Sequence, residues 1–296
     1  MDLSKATAEY LAEFKFKDLW EVRNYKKCIE HLELMTKKGE ADTSLLWGMC
    51  YRDGLGVKKD KAKARQYFES VSVGSTVYFG INSVTHKLLK STVLDIKDGK
   101  ALLCTDQLYP YPSTYASQKL FTPNGVISTW LNDKSDIRGF IYQSFTKPEK
   151  ARLVETLVTT PDNPYCTSGW VQKDFKAKVF LLSVQEYLHY NWLDDRDHLS
   201  GQWTFFNEKF TYAPNGEKIV QRTFSEKFDT LCFGEYPDEG YLDDKTCIFT
   251  RTPGEKKDSH CFVVNDIVFP QGTNYQKIPF SDVKIAYKPA FWINLE

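Results

Sequence analysis

The sequence predicts an α+β fold in two parts. A short all-α segment covers residues 1–72, and an α+β domain with short, mostly antiparallel strands covers residues 73–296. Three observations lead there. Apolar residues in the first part recur at the three-and-four spacing of a buried helix face. From Val73 the pattern shifts to short β-rich runs separated by turn residues. Two capping-box helix starts stand among those runs, at Thr146 and Ser183.

The helices come first. Leu11, Phe14, Leu19, Val22, Ile29, Leu32 and Met35 follow helical spacing and predict one buried face. Gly39 supplies the stop, because glycine accepts the left-handed backbone that closes a helix. A second helix is expected from about Asp42 to Arg52. Asp53-Gly54-Leu55-Gly56 then forces a turn. A third helix starts near Asp60, a natural N-cap, and carries Ala62, Ala64, Tyr67 and Phe68.

The segment also matches itself. Lys27, Cys28, His31, Leu32 and Met35 align at one constant offset with Lys63, Ala64, Tyr67, Phe68 and Val71. Ala41, Leu45, Leu46, Gly48, Tyr51, Gly54, Gly56, Val57, Asp60, Lys63, Ala64 and Tyr67 together resemble the Sel-one-like repeat, a cousin of the tetratricopeptide repeat. The resemblance implies helix packing and protein–protein contact, with Gly48 and Ala64 where helices cross closely. A repeat array needs about three units to stand alone. The single full copy here serves either as a contact surface or as a buttress for the next domain.

In the second part, Val77 to Gly80, Ser91 to Asp95 and Ala101 to Thr105 read as strands. Asp98-Gly99 is a hairpin turn between the last two. Thr146-Lys147-Pro148-Glu149 opens a helix expected to reach about Leu157. Val179 to Leu182 is a buried strand feeding the capping box Ser183-Val184-Gln185-Glu186. After Asn191 the chain turns aromatic, with Trp192, Trp203, Phe205, Phe206, Phe210 and Tyr212, and Ala213-Pro214-Asn215-Gly216 makes a turn. Further strands are expected over Thr246 to Thr250, His260 to Val264 and Ile285 to Ile293.

A set of motifs runs along residues 75–296. They are Tyr78-Phe79-Gly80; Trp130, Ser135, Ile137, Arg138 and Phe140; Lys178 to Ser183 with Glu186; Arg251 with Pro253-Gly254; and Lys288-Pro289-Ala290-Phe291-Trp292-Ile293. In order and spacing this set resembles a bacterial domain-of-unknown-function family. Lys288 stands for that family's usual Arg, Phe249-Thr250 for a Trp-Leu pair, and Gly139 where Trp or Phe is common. The family looks like the C-type-lectin and formylglycine-generating-enzyme superfamily. That likeness implies a C-type-lectin-like domain whose terminal strand returns beside its beginning near Tyr78.

Composition narrows the function. The 296 residues carry 39 Lys+Arg against 39 Asp+Glu, so no global basic field attracts nucleic acid. No apolar run approaches membrane-spanning length, and Met1-Asp2-Leu3-Ser4-Lys5 lacks a secretory apolar core. The 7 Cys show no CxxC or Cys-His metal spacing and read as reduced thiols of a cytoplasmic protein. No phosphate loop, dinucleotide fingerprint, nucleophile elbow or zinc-helix motif occurs, so no cofactor and no metal is expected.

The remaining candidates are few. His260 beside Cys261 suggests a nucleophile–base pair, but neighbours on a strand face opposite sides. Cys247 and Cys261 could flank each other across strands as metal thiols; the surrounding enzyme motif is missing. The acidic run Asp194-Asp195-Arg196-Asp197 lacks calcium-loop spacing and reads as a solvated loop. Arg138 and Arg251 either contact an anion or tie loops to backbone carbonyls. With Trp192, Trp203 and His260 they form the candidate ligand-binding set. The aromatic share of 15% supports a recognition surface. The sequence therefore points to non-catalytic recognition, with a protein partner bound by aromatic loops between about Trp192 and Pro279. The alternative is an enzyme or toxin-like modifying domain whose site carries no recognisable motif.

Overall fold

A computed structural model describes residues 16–39, 41–82, 87–106, 109–110, 121–123, 125–133, 139–171, 173–190, 207–212, 218–223, 247–255, 259–264, 267–273 and 285–296. The chain forms two compact units. The first comprises Met1–Gln107, Asn132–Glu155 and Ala290–Glu296; the second comprises Leu108–Leu131 and Thr156–Pro289. Helices and mainly antiparallel sheets coexist, so the α+β class holds.

The first unit starts with a helical stretch over 16–21, then α1 (Tyr25–Lys38), α2 (Ser44–Asp53) and α3 (Lys61–Ser70). Their ends follow local chemistry. Gly39 closes α1 at φ 70°, and Gly54 closes α2 at φ 72°. The Asp60 carboxylate accepts the Lys63 amide at 3.0 Å and caps α3. Between α2 and α3 the fit is tight: a Cβ on Gly48 would sit 2.3 Å from the Phe68 ring. Trp47, Tyr51 and Tyr67 stack beside that crossing, with ring centroids 5.7 to 6.0 Å apart.

One departure concerns the helix face expected from Leu11 to Met35. The helix breaks at Val22–Asn24, where Val22 is 73% exposed. Asn24 donates to the Leu19 carbonyl and Arg23 to the Trp20 carbonyl, the crossed pair that ends a helix. Arg23 takes the left-handed position at φ 61°, without the glycine that marks such stops elsewhere in this chain.

The unit's sheet runs β1 (Thr76–Ile81), β2 (Leu88–Lys97), β3 (Lys100–Thr105) and β14 (Pro289–Asn294), in that spatial order. Asp98 and Gly99 make the β2–β3 turn with φ of 50° and 68°. The closing strand pairs antiparallel with β3, Phe291 opposite Leu103. Its Phe291 ring lies 5.7 Å from Phe79 of β1, so the beginning and end of the motif series do pack together. Phe145 completes that core at 5.4 Å from Phe79 and 5.2 Å from Phe291. The helical segment joins the sheet through the Asp42 amide, which donates to the Thr76 carbonyl at 2.7 Å.

Two short helices finish the first unit, α5 (Phe140–Ser144) and α6 (Lys147–Lys150). The Thr146–Glu149 capping box forms as expected, but the helix does not reach Leu157. Strand β14 claims the chain instead. Val154 donates to the Trp292 carbonyl, and Asn294 donates to the Arg152 carbonyl, both at 2.9 Å. A strand partner far along the chain outcompetes continued helix.

The second unit holds β4 (Tyr109–Pro110), α4 (Val126–Asn132), the pair β5 (Thr156–Val158) and β6 (Phe175–Ala177), β7 (Val179–Leu181) and α7 (Val184–His189). The hairpin β8 (Asn207–Tyr212) and β9 (Lys218–Thr223) follows. Its main sheet orders β12 (Ile267–Thr273), β11 (His260–Val264), β10 (Cys247–Pro253), β13 (Ile285–Tyr287) and β4. The run Ile285 to Ile293, expected as one strand, is two. β13 pairs parallel with β10 in this unit's sheet, and Lys288 separates it from β14. Pro289, which has no amide proton for a ladder, opens the second piece.

Candidate functional site

Arg251 lies on β10 and is 3% exposed. Its five donor positions are all directed at protein. Nη2 donates to Glu186 Oε1 at 2.7 Å and to the Thr159 carbonyl at 2.9 Å, and Nε reaches the same carbonyl at 3.1 Å. Nη1 donates to the Leu181 carbonyl at 2.7 Å and to Glu186 Oε2. The guanidinium also lies 5.7 Å from the Phe180 ring centre. Of the two readings open for Arg251, the tie to carbonyls describes these contacts. No donor is left over for a ligand.

The partner carboxylate has a second role. Glu186 Oε2 accepts the Ser183 amide at 2.8 Å, and Ser183 Oγ accepts the Glu186 amide at 3.2 Å, completing the capping box of α7. Backbone bonds close the same corner. The Arg251 amide donates to the Leu182 carbonyl at 3.1 Å, and the Val184 amide to Thr252 Oγ1 at 2.8 Å. The Lys178–Glu186 motif and the Arg251–Gly254 motif are thus one assembly. Sequence reading kept both motifs but did not join them, because local spacing carries no sign of a partner 65 residues away.

His260 opens β11 and is 1% exposed. Its ring meets Trp170 edge-on at 4.8 Å, and the Trp170 indole donates to the Ser259 carbonyl at 2.7 Å. Burial pushes the imidazole pKa down to about 3, against backbone groups of Arg251, Thr250 and Thr252 that pull it upward. It is neutral through the physiological range. Next to it, Cys261 is fully buried, and its Sγ accepts from Asn163 Nδ2 at 3.1 Å. Burial holds this thiol well above its ordinary pKa. With the thiol pKa raised and the imidazole pKa lowered, the proton stays on sulfur and no thiolate–imidazolium pair forms.

The cross-strand thiol pair fails on register. Ile248 faces Val263 and Phe249 faces Phe262, so Cys247 does not stand opposite Cys261. Among the described residues, no group of three or more His, Cys, Asp or Glu is placed to hold a metal ion. Arg138, Trp192 and Trp203 lie outside the described residues.

Sequence reading missed two buried ionic groups in the first unit. Glu149 is 1% exposed and accepts the Thr146 amide at 2.7 Å, Thr146 Oγ1 at 2.5 Å and the Gly80 amide at 3.1 Å. Burial raises its pKa, and the Thr146 and Gly80 bonds oppose the rise. Arg152 is 2% exposed, its Nη1 donates to the Asn294 carbonyl, and its guanidinium lies 4.6 Å from the Phe68 ring centre. Both residues sit in a stretch that reads locally as a helix start. Nothing in their spacing announces burial.

The first unit also holds two cavities, one of them lined by Arg152. One of about 340 Å³ is lined by Arg23, Tyr25, Arg52, Asp53, Lys147 and Arg152, among others. The second, about 720 Å³, has Phe68, Val71, Ile96 and Leu295 in its walls. No helix among the described residues is long and apolar enough to cross a membrane.

The family model described as "Domain of unknown function (DUF6273)" matches residues 98–295, more than half of the chain, and the chain belongs to that family. The match begins after the Tyr78-Phe79-Gly80 run and the helical segment. No curated protein and no solved structure matches the chain.

Proposed function

We propose that this family member is a non-catalytic recognition module that binds a protein partner through the aromatic loops between about Trp192 and Pro279. One observation carries the reading: Arg251, Glu186 and Ser183 of the family motifs are occupied by one another and by backbone groups. Arg251 spends every donor on Glu186, Thr159 and Leu181. His260 is buried and neutral, and the neighbouring thiol is protonated. Groups so occupied hold a scaffold rather than turn over a substrate. The aromatic stretch after Asn191 is then the part of the sequence left to specialise.

Two finer readings go with this proposal. The helical segment is a Sel-one-like unit, supported by the close Gly48–Phe68 crossing and the Asp60 cap. The remainder is C-type-lectin-like, supported by the return of β14 to the Phe79 core. The protein is cytoplasmic. The absence of a disulfide at Cys28 and Cys50, both buried, supports that reading.

The test is capture of partners from lysate of the source organism by the full chain and by a Trp192→Ala/Trp203→Ala variant. Circular dichroism checks that the variant is folded. Loss of a reproducible partner in the folded variant supports the reading. An unchanged partner set removes the aromatic loops from recognition.

A further inference from the structure

We propose that the first unit carries a binding site for the phosphate group of a small molecule, in the cavity lined by Arg23, Arg52, Lys147 and Arg152. It is independent of the loop-based recognition described above.

The charge balance is the first ground. Four cationic side chains line the cavity against one acid, Asp53, a surplus of three positive charges in a chain whose net charge is zero. Arg23 and Lys147 make no ion pair among the described residues, and Arg52 meets Asp53 only at 3.7 Å. A solvent-facing cluster of like charges gains nothing for the fold by itself. An anion between them turns the repulsion into attraction.

Arg152 supplies the independent ground. It is 2% exposed and spends one nitrogen on the Asn294 carbonyl, while Nε and Nη2 are buried without a hydrogen-bond partner. Buried polar groups are ordinarily satisfied, and an unpaired charged donor is costly. Burial, and next the like charge of Arg52, push Arg152 down to about 10. Arg152 lines the cavity, and contacts with Phe68 and Asn294 fix its guanidinium while two of its nitrogens stay unpaired.

Arg23 adds a placement argument. It occupies a left-handed position, φ 61°, which glycine fills at the stops of α1 and α2. Glycine there would relieve backbone strain. It would also remove a cation from the cavity.

The chemistry selects the ligand class. Planar guanidinium forks match phosphate oxygens, and a surplus of three charges suits a multiply charged group better than a single carboxylate. A volume of about 340 Å³ exceeds what a bare phosphate fills and leaves room for a small organic portion or a second phosphate.

The experiment is titration calorimetry of the full chain with inorganic pyrophosphate and inorganic phosphate, with acetate as the carboxylate arm. Saturable one-to-one binding of pyrophosphate, absent with acetate, is the expected result. Arg23→Gly and Lys147→Gln, both at exposed positions, should each weaken it about tenfold while leaving the circular dichroism unchanged. Partner capture by Arg23→Gly should equal that of the parent chain, which separates this site from the loop reading. Absence of pyrophosphate binding, binding that both variants leave intact, or equal binding of acetate would each overturn the proposal.

Discussion

Arg251 and Glu186 meet as a two-point pair, Nη2 to Oε1 at 2.7 Å and Nη1 to Oε2, while the same carboxylate caps α7 through Ser183. One side of the pair is far more buried than the other: the Arg251 side chain is 4% exposed and that of Glu186 29%. The asymmetry decides which partner matters more. Removing Arg251 strands two carbonyls but leaves a carboxylate that water can reach, whereas removing the Glu186 charge leaves the buried Arg251 cation uncompensated.

Glu186→Gln should therefore cost at least as much unfolding free energy as Arg251→Met, about 3 kcal/mol, even though Gln can still cap the helix. Urea denaturation followed by tryptophan fluorescence measures both. A Glu186→Gln loss below about 1 kcal/mol would mean that the carbonyl ties, rather than the ion pair, hold the corner together.

His260 gives stability a pH dependence with a definite sign. Its folded pKa, about 3, is depressed below the ordinary 6.5, so the unfolded chain takes up the proton first as pH falls. The contribution is complete above about 6.5 and is lost on acidification toward 3, at up to roughly 1.4 kcal/mol per pH unit. His260→Phe keeps the packing on Trp170 and cannot titrate. The parent chain should lose stability faster than this variant between pH 6.5 and 5 in parallel urea titrations. Coincident slopes would contradict the buried neutral imidazole.

What the sequence reveals here is what local chemistry decides. The Ser183–Glu186 and Thr146–Glu149 boxes, the Asp60 cap, the Gly39 stop and the Asp98-Gly99 turn are each written within four residues, and each forms. Distant partners decide the rest. The helix after Thr146 stops because β14 bonds the backbone at Arg152 and Val154. The Ile285–Ile293 run splits because its halves join different sheets. Arg23 ends a helix with no glycine or proline to announce it. The pairing of Arg251 with Glu186 needed the fold to be seen. Of the five candidate site residues, Arg251 and His260 have described positions, and both are framework groups.

Gly80 tests the motif Tyr78-Phe79-Gly80 directly. Its φ is 95°, and an added Cβ would lie 2.7 Å from the Ser144 carbonyl oxygen and 2.8 Å from the Phe145 ring. The β1–β2 register shifts at this point, between Tyr78 and Ile81, and the freed Gly80 amide donates to Glu149. Gly80→Ala combines left-handed strain with a backbone clash and should cost at least about 2 kcal/mol by urea unfolding. A loss below about 0.5 kcal/mol would show that the bulge relaxes freely.

Arg152 yields the sharpest contrast between structure and ligand. Its charge is buried with two nitrogens unsatisfied, so an apolar side chain of similar length should fit between Phe68 and Asn294 at little cost. Replacing such a buried charge with a hydrophobic group is often neutral or stabilising. Arg152→Met should hold its melting temperature within about 3 °C of the parent in anion-free buffer. Addition of pyrophosphate should then raise the melting temperature of the parent chain and leave that of Arg152→Met unmoved. If the variant melts far below the parent without any anion, Arg152 is a structural strut, and its spare donors are met within the fold rather than by a ligand.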